Sequence, residues 1–254
     1  KALRRARRLI YLDDQYLWSK RVARLFAEAL ADNPELHLVA VVPPHPDDDG
    51  RLALPPNQIG RHEAIEACKQ ASPNRVHVFD VENRSGTPVY VHAKVCVVDD
   101  VWASVGSDNF NRRSWTHDSE LSCAVLDDTR DDRPPIDPAG LGDGARFFAR
   151  DLRLRLMREH LDRAPDGSDD DGLIDPETAV RAITASADAL DAWHASGCRG
   201  PRPPGRLRPH RPERLGLVTR LWAGPAYRMI YDPDGRSYRD RLRRRDRARR
   251  RRTH

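Results

Sequence analysis

A histidine and a lysine two residues apart are the first side chains in this sequence that could do chemistry together. His92 and Lys94 stand in the segment VYVHAKVCVVD, where polar and apolar residues alternate as they do in a half-buried strand. Strand alternation turns the two side chains to the same face. Because an imidazolium and an ammonium side by side repel each other, their shared face indicates a common anionic target.

The next segment supplies neutral hydrogen-bonding groups to the same place. The letters VWASVGSDN predict a second strand that returns beside the first after a turn at Asp99 and Asp100. Ser107 and Asn109 then lie next to the histidine and the lysine, and Gly106 lets the backbone approach a ligand closely. A lysine cation, an asparagine amide and a serine hydroxyl together suit the oxygens of a phosphate.

A histidine beside a phosphodiester can attack the phosphorus or protonate the departing oxygen. Either role requires a partner on the other ring nitrogen, which fixes the tautomer and the orientation of the ring. Glu120, in the segment HDSEL, lies on the following predicted strand, where its carboxylate could serve His92 in this way. The residues therefore predict phosphoryl chemistry at a histidine.

The spacing of these residues resembles the signature of the phospholipase D superfamily, H-x-K-x4-D-x6-G-S-x-N. The letters NFNRRSWTHDSEL look like the family's continuation N-x-N-x-R-S followed by D-S-E. Upstream, IYLDDQYLWS is similar to the family's IYIENQ segment, with Asp13 and Asp14 in place of Glu-Asn. The resemblance covers the first half of the chain and extends more loosely to about residue 163. Every fixed position of the signature is present without a spacing error: His92, Lys94, Asp99, Gly106, Ser107 and Asn109.

The resemblance implies a role for each of these residues. His92 is the catalytic histidine, Glu120 its orienting carboxylate, and Lys94 and Asn109 bind the phosphate. Asp99 belongs to the same catalytic set, although its place at a turn favours a structural role. The reaction is a double displacement through a phosphohistidine and needs neither metal nor cofactor, because lysine and asparagine stabilise the charge. The substrate-binding residues implied in the same way are Gly106, Ser107 and Asn111.

The family builds its active site from two copies of the motif, and this chain holds one H-x-K. It is the C-terminal half of a two-motif enzyme, a homodimer that pairs two copies of His92, or an inactive remnant. The start at Lys1 rather than Met and the IYLDDQYLWS flank favour the first, and we expect a longer parent protein. His92 is then the general acid and base, and the nucleophile belongs to the absent half.

Apolar patterns around the motif predict an α/β domain. Strands at RRLIYLDDQYL, LHLVAVV and RVHVFDV alternate with two amphipathic helices, which predicts a mixed, largely parallel sheet flanked by helices. We expect a phospholipase D-like half-domain at 1–163, a linker and helix at 164–213, and an extension with an arginine-rich tail at 214–254. The letters GCRGPRPPGRLRPHRP are too rich in Pro, Gly and Arg to be expected to pack well.

The basic charge of the chain is concentrated in its tail. Residues 236–254 hold eleven arginines against two aspartates, a net charge of +9, whereas the whole chain carries +5. Such a tail can solubilise the protein, hold it to anionic lipid at about 1 kcal/mol per basic residue, or bind nucleic acid non-specifically. The sequence leaves these three uses open.

Cysteines and hydropathy give a first expectation of location. The cysteines Cys68, Cys96, Cys123 and Cys198 are scattered without a CxxC pair, which favours reduced thiols over a disulfide or zinc framework. No apolar run approaches the roughly 18 residues of a membrane span. We therefore expect a cytoplasmic protein that associates peripherally with membranes.

The leading hypothesis is a phospholipase D-type phosphodiesterase or phosphatidyltransferase that acts on glycerophospholipids at an anionic membrane surface. Its partner is the missing N-terminal half or a second copy of the chain. The alternative enzyme is a homodimeric endonuclease of the same superfamily, which the long helical and basic extension does not fit. The non-enzymatic alternative is an inactive remnant that binds lipid or DNA.

Overall fold

The computed structural model describes residues 1–44, 54–212, 215–237 and 239. Much of the predicted loop PDDDGRLALPPN and nearly all of the arginine-rich tail lie outside the described residues. The strands are β1 (Leu9–Asp14), β2 (His37–Val42), β3 (Val76–Val81), β4 (Lys94–Val98), β5 (Trp102–Gly106), β6 (Ser122–Val125) and β7 (Leu207–Pro209). The helices are α1 (Ala2–Arg5), α2 (Lys20–Asp32), α3 (Leu54–Ala71), α4 (Phe147–Leu161), α5 (Pro176–Ala195) and α6 (Leu217–Ala226), followed by a π-helical turn at Tyr227–Tyr231.

The seven strands form one mixed sheet in the order β6-β5-β4-β1-β2-β3-β7. β1, β2 and β3 are parallel neighbours, as the alternation of strands and helices predicts. β4 runs antiparallel to β1, and β5 and β6 continue antiparallel from it. The α/β class and the mixed sheet are confirmed. Parallel pairing is confined to two of the six pairings among the described strands, because β4, β5, β6 and β7 each join the sheet antiparallel to their neighbours.

Side-chain alternation divides the core into two layers, one on each face of the sheet. Ile10 and Leu12 of β1 are fully buried on the face covered by α2 and α3, where Phe26 packs against them. Leu9 and Val39 face the other way, toward α4 and α5, and pack with Leu154 and its neighbours. Helices on both faces of a largely apolar sheet bury its central strands.

The segment after α4 contributes to the second layer. Ile183 of α5 and Leu207 of β7 are fully buried there, and Leu207 pairs with Val81 of β3. The expectation that the Pro-, Gly- and Arg-rich segment packs poorly is therefore wrong at β7. Backbone hydrogen bonds to a sheet edge require no particular side chain, and an edge strand tolerates Pro209.

The remaining helices agree with their patterns, with one shift of boundary. α3 begins at Leu54, earlier than its amphipathic pattern indicates, because Pro55 and Pro56 are tolerated in the first turn of a helix. All four cysteines are free thiols. Among the described helices, none combines the length and the hydropathy that a membrane span requires.

Candidate active site

The strand ends that carry the predicted site residues lie side by side at one end of the sheet. β1 ends at Asp14, opposite Lys94, the first residue of β4. β5 ends at Gly106, opposite Ser122, the first residue of β6. Because β4 and β6 run antiparallel to β1 and β5, the four segments present their residues at the same end of the sheet. All residues of the signature except Asp99 thus lie at one end of the sheet.

His92 lies just before β4, in an extended segment. In β4 the predicted alternation is confirmed, since Cys96 and Val98 pack in the first core layer and Val95 in the second. The strand begins at Lys94, however, so His92 lies outside the sheet. Its ring is exposed and stacks on Tyr90 with 6.1 Å between the ring centroids. An exposed imidazole at the strand end is accessible to a substrate.

The ammonium of Lys94 is held by the segments on either side of the site. Its Nζ donates to Oε1 of Gln15 at 2.8 Å and to the backbone oxygen of His92 at 3.3 Å. Gln15 also donates through Nε2 to the hydroxyl of Tyr90. Sequence reasoning assigned no role to Gln15 or Tyr90. The upstream flank IYLDDQYLWS contains Gln15 and could have found it, whereas no sequence signal marks Tyr90.

Asn109 is buried, and its carboxamide oxygen has no hydrogen-bond partner among the described residues. A buried polar atom without a partner costs about 1–3 kcal/mol and therefore calls for an explanation. A ligand that bonds the amide would remove this cost. Rotation about χ2 exchanges the two ends of the amide, so the same position can present an N–H donor to a phosphate oxygen.

Glu120 hydrogen-bonds Ser107 in this structure. The hydroxyl of Ser107 donates to Oε2 of Glu120 at 2.5 Å and accepts the backbone N–H of Leu121 at 3.0 Å. Among the bonds of the described residues, none joins Glu120 to the His92 ring. Catalytic hydrogen bonds often form only when a substrate is bound, so the orientation of His92 by Glu120 stays a prediction.

Asp99 lies at the opposite end of β4 from the site. Its carboxylate accepts three backbone N–H groups, from Arg7 at 2.7 Å, Arg8 at 2.8 Å and Leu9 at 2.8 Å. Asp99 and Asp100 form the β4–β5 turn with φ of 52° and 57°. Burial raises the pKa of the Asp99 carboxyl, and the three N–H groups act against that shift. The structure thus places Asp99 apart from the other site residues, where its hydrogen bonds connect the β4–β5 turn to the start of β1.

Gly106 and Asn111 have structural contacts that account for their residue types. A Cβ on Gly106 would lie 2.6 Å from the Cα of Ser122, so β5 and β6 approach closely only because residue 106 is glycine. Asn111 is buried and accepts the backbone N–H of Ser114 through Oδ1 at 2.8 Å. Substrate contact by either residue stays a prediction.

The two aspartates of the upstream flank point into opposite layers. The buried Asp13 pairs with His160 of α4 at 3.1 Å. Asp14 accepts the N–H of Leu17 at 2.6 Å through Oδ1 and the N–H of Phe110 at 3.1 Å through Oδ2. Asp14 thereby joins the loop after β1 to the loop after β5, which carries Asn109.

Acidic groups near the site have raised pKa values. Burial raises the pKa of Asp14 to about 6, although backbone N–H groups and Lys94 act to lower it. Burial and the neighbouring Glu120 raise the pKa of Asp108. At mildly acidic pH these shifts reduce the negative charge that an incoming phosphate would meet.

The loop after β1 is fixed from the helical side by Arg61 of α3. The buried guanidinium donates to the backbone oxygen of Tyr16 at 3.1 Å through Nε and to that of Gln15 at 3.0 Å through Nη2. Sequence reasoning missed Arg61, because a single arginine within a helix carries no local signal of such a contact.

Comparison with known proteins places the chain in a family. Residues 3–131 match the family described as "Cardiolipin synthase, PLD-like domain". The chain is 43% identical to Phospholipase D C of Dictyostelium discoideum over 112 residues, which are 42% of this chain and 6% of that protein. It is 32% identical to Phospholipase D alpha 2 of Oryza sativa subsp. japonica over 139 residues, 52% of this chain and 16% of that protein. The chain therefore spans a small part of the length of these curated relatives.

Solved structures align with the chain at low similarity. The phospholipase D family member Nuc from Salmonella typhimurium aligns with a TM-score of 0.38 and 17% identity, over 50% of this chain and 71% of that chain. Phosphatidylserine synthase from Haemophilus influenzae aligns with a TM-score of 0.36 and 15% identity, over 48% of this chain and 29% of that chain. The family match, which covers half of the chain and includes the whole signature, establishes that the chain belongs to the phospholipase D superfamily.

Proposed function

We propose that the chain supplies one half of the active site of a phospholipase D-type phosphodiesterase or phosphatidyltransferase that removes head groups from glycerophospholipids. One observation carries the proposal: the exposed imidazole of His92, the ammonium of Lys94 and the buried amide of Asn109 lie at the ends of adjacent segments at one sheet edge. Membership of the superfamily supports phosphodiester chemistry in general.

In the proposed mechanism, His92 moves protons while the histidine of the other half attacks phosphorus. Attack breaks the bond to the head-group oxygen, which takes the proton of His92, and leaves a phosphohistidine on the other half. In the second step, the oxygen of water or of an alcohol attacks phosphorus and passes its proton to His92. This attack breaks the bond between phosphorus and the histidine of the other half. Lys94 and Asn109 stabilise the charge on the non-bridging oxygens.

The surface beside the site fits the need for a second half. β6 is an edge strand of the described sheet, and Leu121 and Leu126 at its ends are 84% and 60% exposed. Leu121 lies at the site end of β6 and Leu126 at the end near Asp99, so the surface that another strand can cover is the unpaired backbone edge between them. We call this edge with its two leucines the β6 patch. The second histidine would come from an N-terminal half or from a second copy, and the patch suits either partner.

The test is release of choline from phosphatidylcholine by the full chain over a range of protein concentrations. General acid–base catalysis contributes about 10²–10⁴-fold to a rate, so His92→Asn should lose at least about 100-fold of the release. His62→Asn is the matched control, because His62 lies on α3 away from the signature.

Each outcome of this assay decides between the alternatives. Where the wild type releases choline, equal rates for the two variants and the wild type contradict the role of His92. A rate per chain that rises with protein concentration indicates a second copy as the partner. No release at any concentration contradicts pairing between copies. Cleavage of DNA in place of phospholipid would favour the homodimeric nuclease.

A further inference from the structure

α6 and the π-helical turn after it are apolar on two sides. On the inner side, Ala223 and Tyr227 are buried against Trp18 and Ile59. A surface helix usually opposes its buried stripe with a polar face. Here the outer side is apolar as well and is exposed. Its residues are Leu217, Val218, Leu221, Met229 and Ile230, each at least 67% exposed, and Trp222, 43% exposed.

The exposed residues form one continuous stripe, which we call the α6 stripe. Leu217 and Leu221, and likewise Val218 and Trp222, are four residues apart and so lie one above the other on the helix. Met229 and Ile230 continue the stripe along the π-helical turn. Residues 215–231 contain two arginines and no acidic residue. The stripe is therefore apolar with a basic fringe.

The α6 stripe is fixed in place relative to the candidate active site. The ring of Trp18, in the loop after β1, meets Tyr227 edge-on at 6.0 Å between centroids. The hydroxyl of Tyr227 donates to Asp232 at 2.8 Å, and Asp232 accepts the backbone N–H of Arg113 at 2.7 Å. Both loops lead directly from site residues, so a surface that docks through the stripe would bring the site to that surface.

We propose that the α6 stripe docks the chain on an anionic lipid bilayer by inserting its apolar side chains at the boundary of head groups and acyl chains. The inference deepens the proposed function and rests on it. Apolar side chains with a tryptophan on one face and nearby arginines are the composition of helices that lie in a membrane interface. The tail of net charge +9 that follows in the sequence adds attraction to anionic lipid.

Charge distinguishes this stripe from the apolar patch beside β6. The β6 patch is followed directly by Asp127 and Asp128, which anionic lipid would repel. Arg220 and Arg228 border the α6 stripe; Arg220 is exposed, whereas Arg228 pairs with Glu63 at 2.8 Å. The β6 patch therefore suits a protein partner, and the α6 stripe suits a membrane.

The test is co-sedimentation of the full chain with vesicles of phosphatidylcholine that contain phosphatidylserine. We compare the wild type with a triple variant of the stripe, Leu217→Ser, Leu221→Ser and Met229→Ser. Because these side chains are exposed, the variant should fold normally, which circular dichroism checks. The variant's partition coefficient should fall at least about tenfold. A double variant of the β6 patch, Leu121→Ser and Leu126→Ser, is the matched control and should stay within about twofold of the wild type.

Two results would overturn the inference. Unchanged binding of the stripe variant would mean that the tail alone holds the vesicle. The second result is a wild type that binds no vesicle and forms a dimer in light scattering, while the stripe variant is monomeric. The stripe would then be a protein interface.

A soluble short-chain phosphatidylcholine separates this inference from the proposed function. The stripe variant should release choline from it at the wild-type rate and from vesicles more slowly. If His92→Asn released choline normally while vesicle binding still depended on the stripe, the proposed function would fail and the docking surface would stand.

Discussion

At the scale of single residues, Asp99 belongs to the sequence signature but lies away from the candidate active site. It occupies a fixed position of the motif, yet its carboxylate accepts three backbone N–H groups at the far end of β4. Asp99→Ala would leave those buried donors without an acceptor, at about 1–3 kcal/mol each in the worst case. We expect the free energy of unfolding to fall by about 2–4 kcal/mol in urea titrations.

The same variant also tests whether Asp99 is catalytic. Folded Asp99→Ala should release head groups at the wild-type rate, because its carboxylate does not reach the site. Asp128→Ala, at an exposed position, is the control for stability. A folded Asp99→Ala protein that has lost activity would restore Asp99 to the catalytic set.

Residue type and spacing were enough to predict that His92, Lys94 and Asn109 lie together at one end of the sheet. Their side chains suit a phosphate, and their spacing matches the superfamily signature. Tyr90 and Arg61 were not predictable, because their roles come from contacts between segments that are distant or unmarked in the sequence. The roles of Tyr90 and Arg61 depend on which residues lie near them in the folded chain, and residue type alone does not give this.

At the scale of elements, the contact between α3 and the π-helical turn after α6 depends on one glycine. A Cβ on Gly60 would lie 2.4 Å from Cε2 of Tyr227, so Gly60→Ala must displace the ring or the helix. Overpacking of this kind costs about 1–3 kcal/mol, and we expect that loss in the free energy of unfolding. Gly216→Ala is the matched control, because no atom of the described residues lies within 4 Å of its added Cβ. Equal stability of the two variants would show that the contact is not tight.

The pairing of β2 and β3 brings two histidines together. Nδ1 of His37 lies 3.2 Å from Nε2 of His77, and burial, with His37 and Lys69 nearby, lowers the pKa of His77 to about 4. Below about pH 6.5 His77 binds a proton in the unfolded chain, whereas in the folded chain it binds one only below about pH 4. The free energy of unfolding therefore falls as the pH is lowered from about 6.5 to about 4.

His77→Val removes most of this pH dependence. Between pH 7 and pH 4 the wild type should lose about 2–3 kcal/mol more of its free energy of unfolding than the variant does. Urea titrations at a series of pH values measure the difference. Parallel curves for the two proteins would show that His77 takes up its proton as readily in the folded chain.

Most elements could be predicted from periodicity, and the exceptions have physical reasons. The helices and the buried strands repeat apolar residues at clear intervals. β7 has three residues and no period, and it forms because β3 offers an unpaired edge. The start of β4 at Lys94 was not predictable either, because alternation continues in the letters upstream while the backbone leaves the sheet.

At the scale of the whole molecule, the proposed half-site lies on a sheet whose edge strand β6 has no further partner among the described strands. The single motif could be counted in the sequence. The exposure of Leu121 and Leu126 could not, because an apolar residue in a strand pattern is usually expected to face the core.

Charge at these two positions should block the partner that completes the site. Leu121→Asp with Leu126→Asp should lower choline release per chain at least about tenfold, while the urea midpoint stays unchanged because both side chains are exposed. A doubly substituted protein with the wild-type rate would show that the partner binds elsewhere.

The most direct test of the account follows the His92 ring during a titration with inorganic phosphate. Proton NMR of the full chain, with His92→Asn to assign the resonance among the ten histidines, reports the ring without requiring the second half. A charge-assisted contact is worth about 1.5–3 kcal/mol. We predict that phosphate shifts the His92 resonance to saturation and that Lys94→Met needs at least about tenfold more phosphate for the same shift. A His92 resonance that phosphate leaves unmoved, or moves equally in both proteins, would contradict a shared phosphate site.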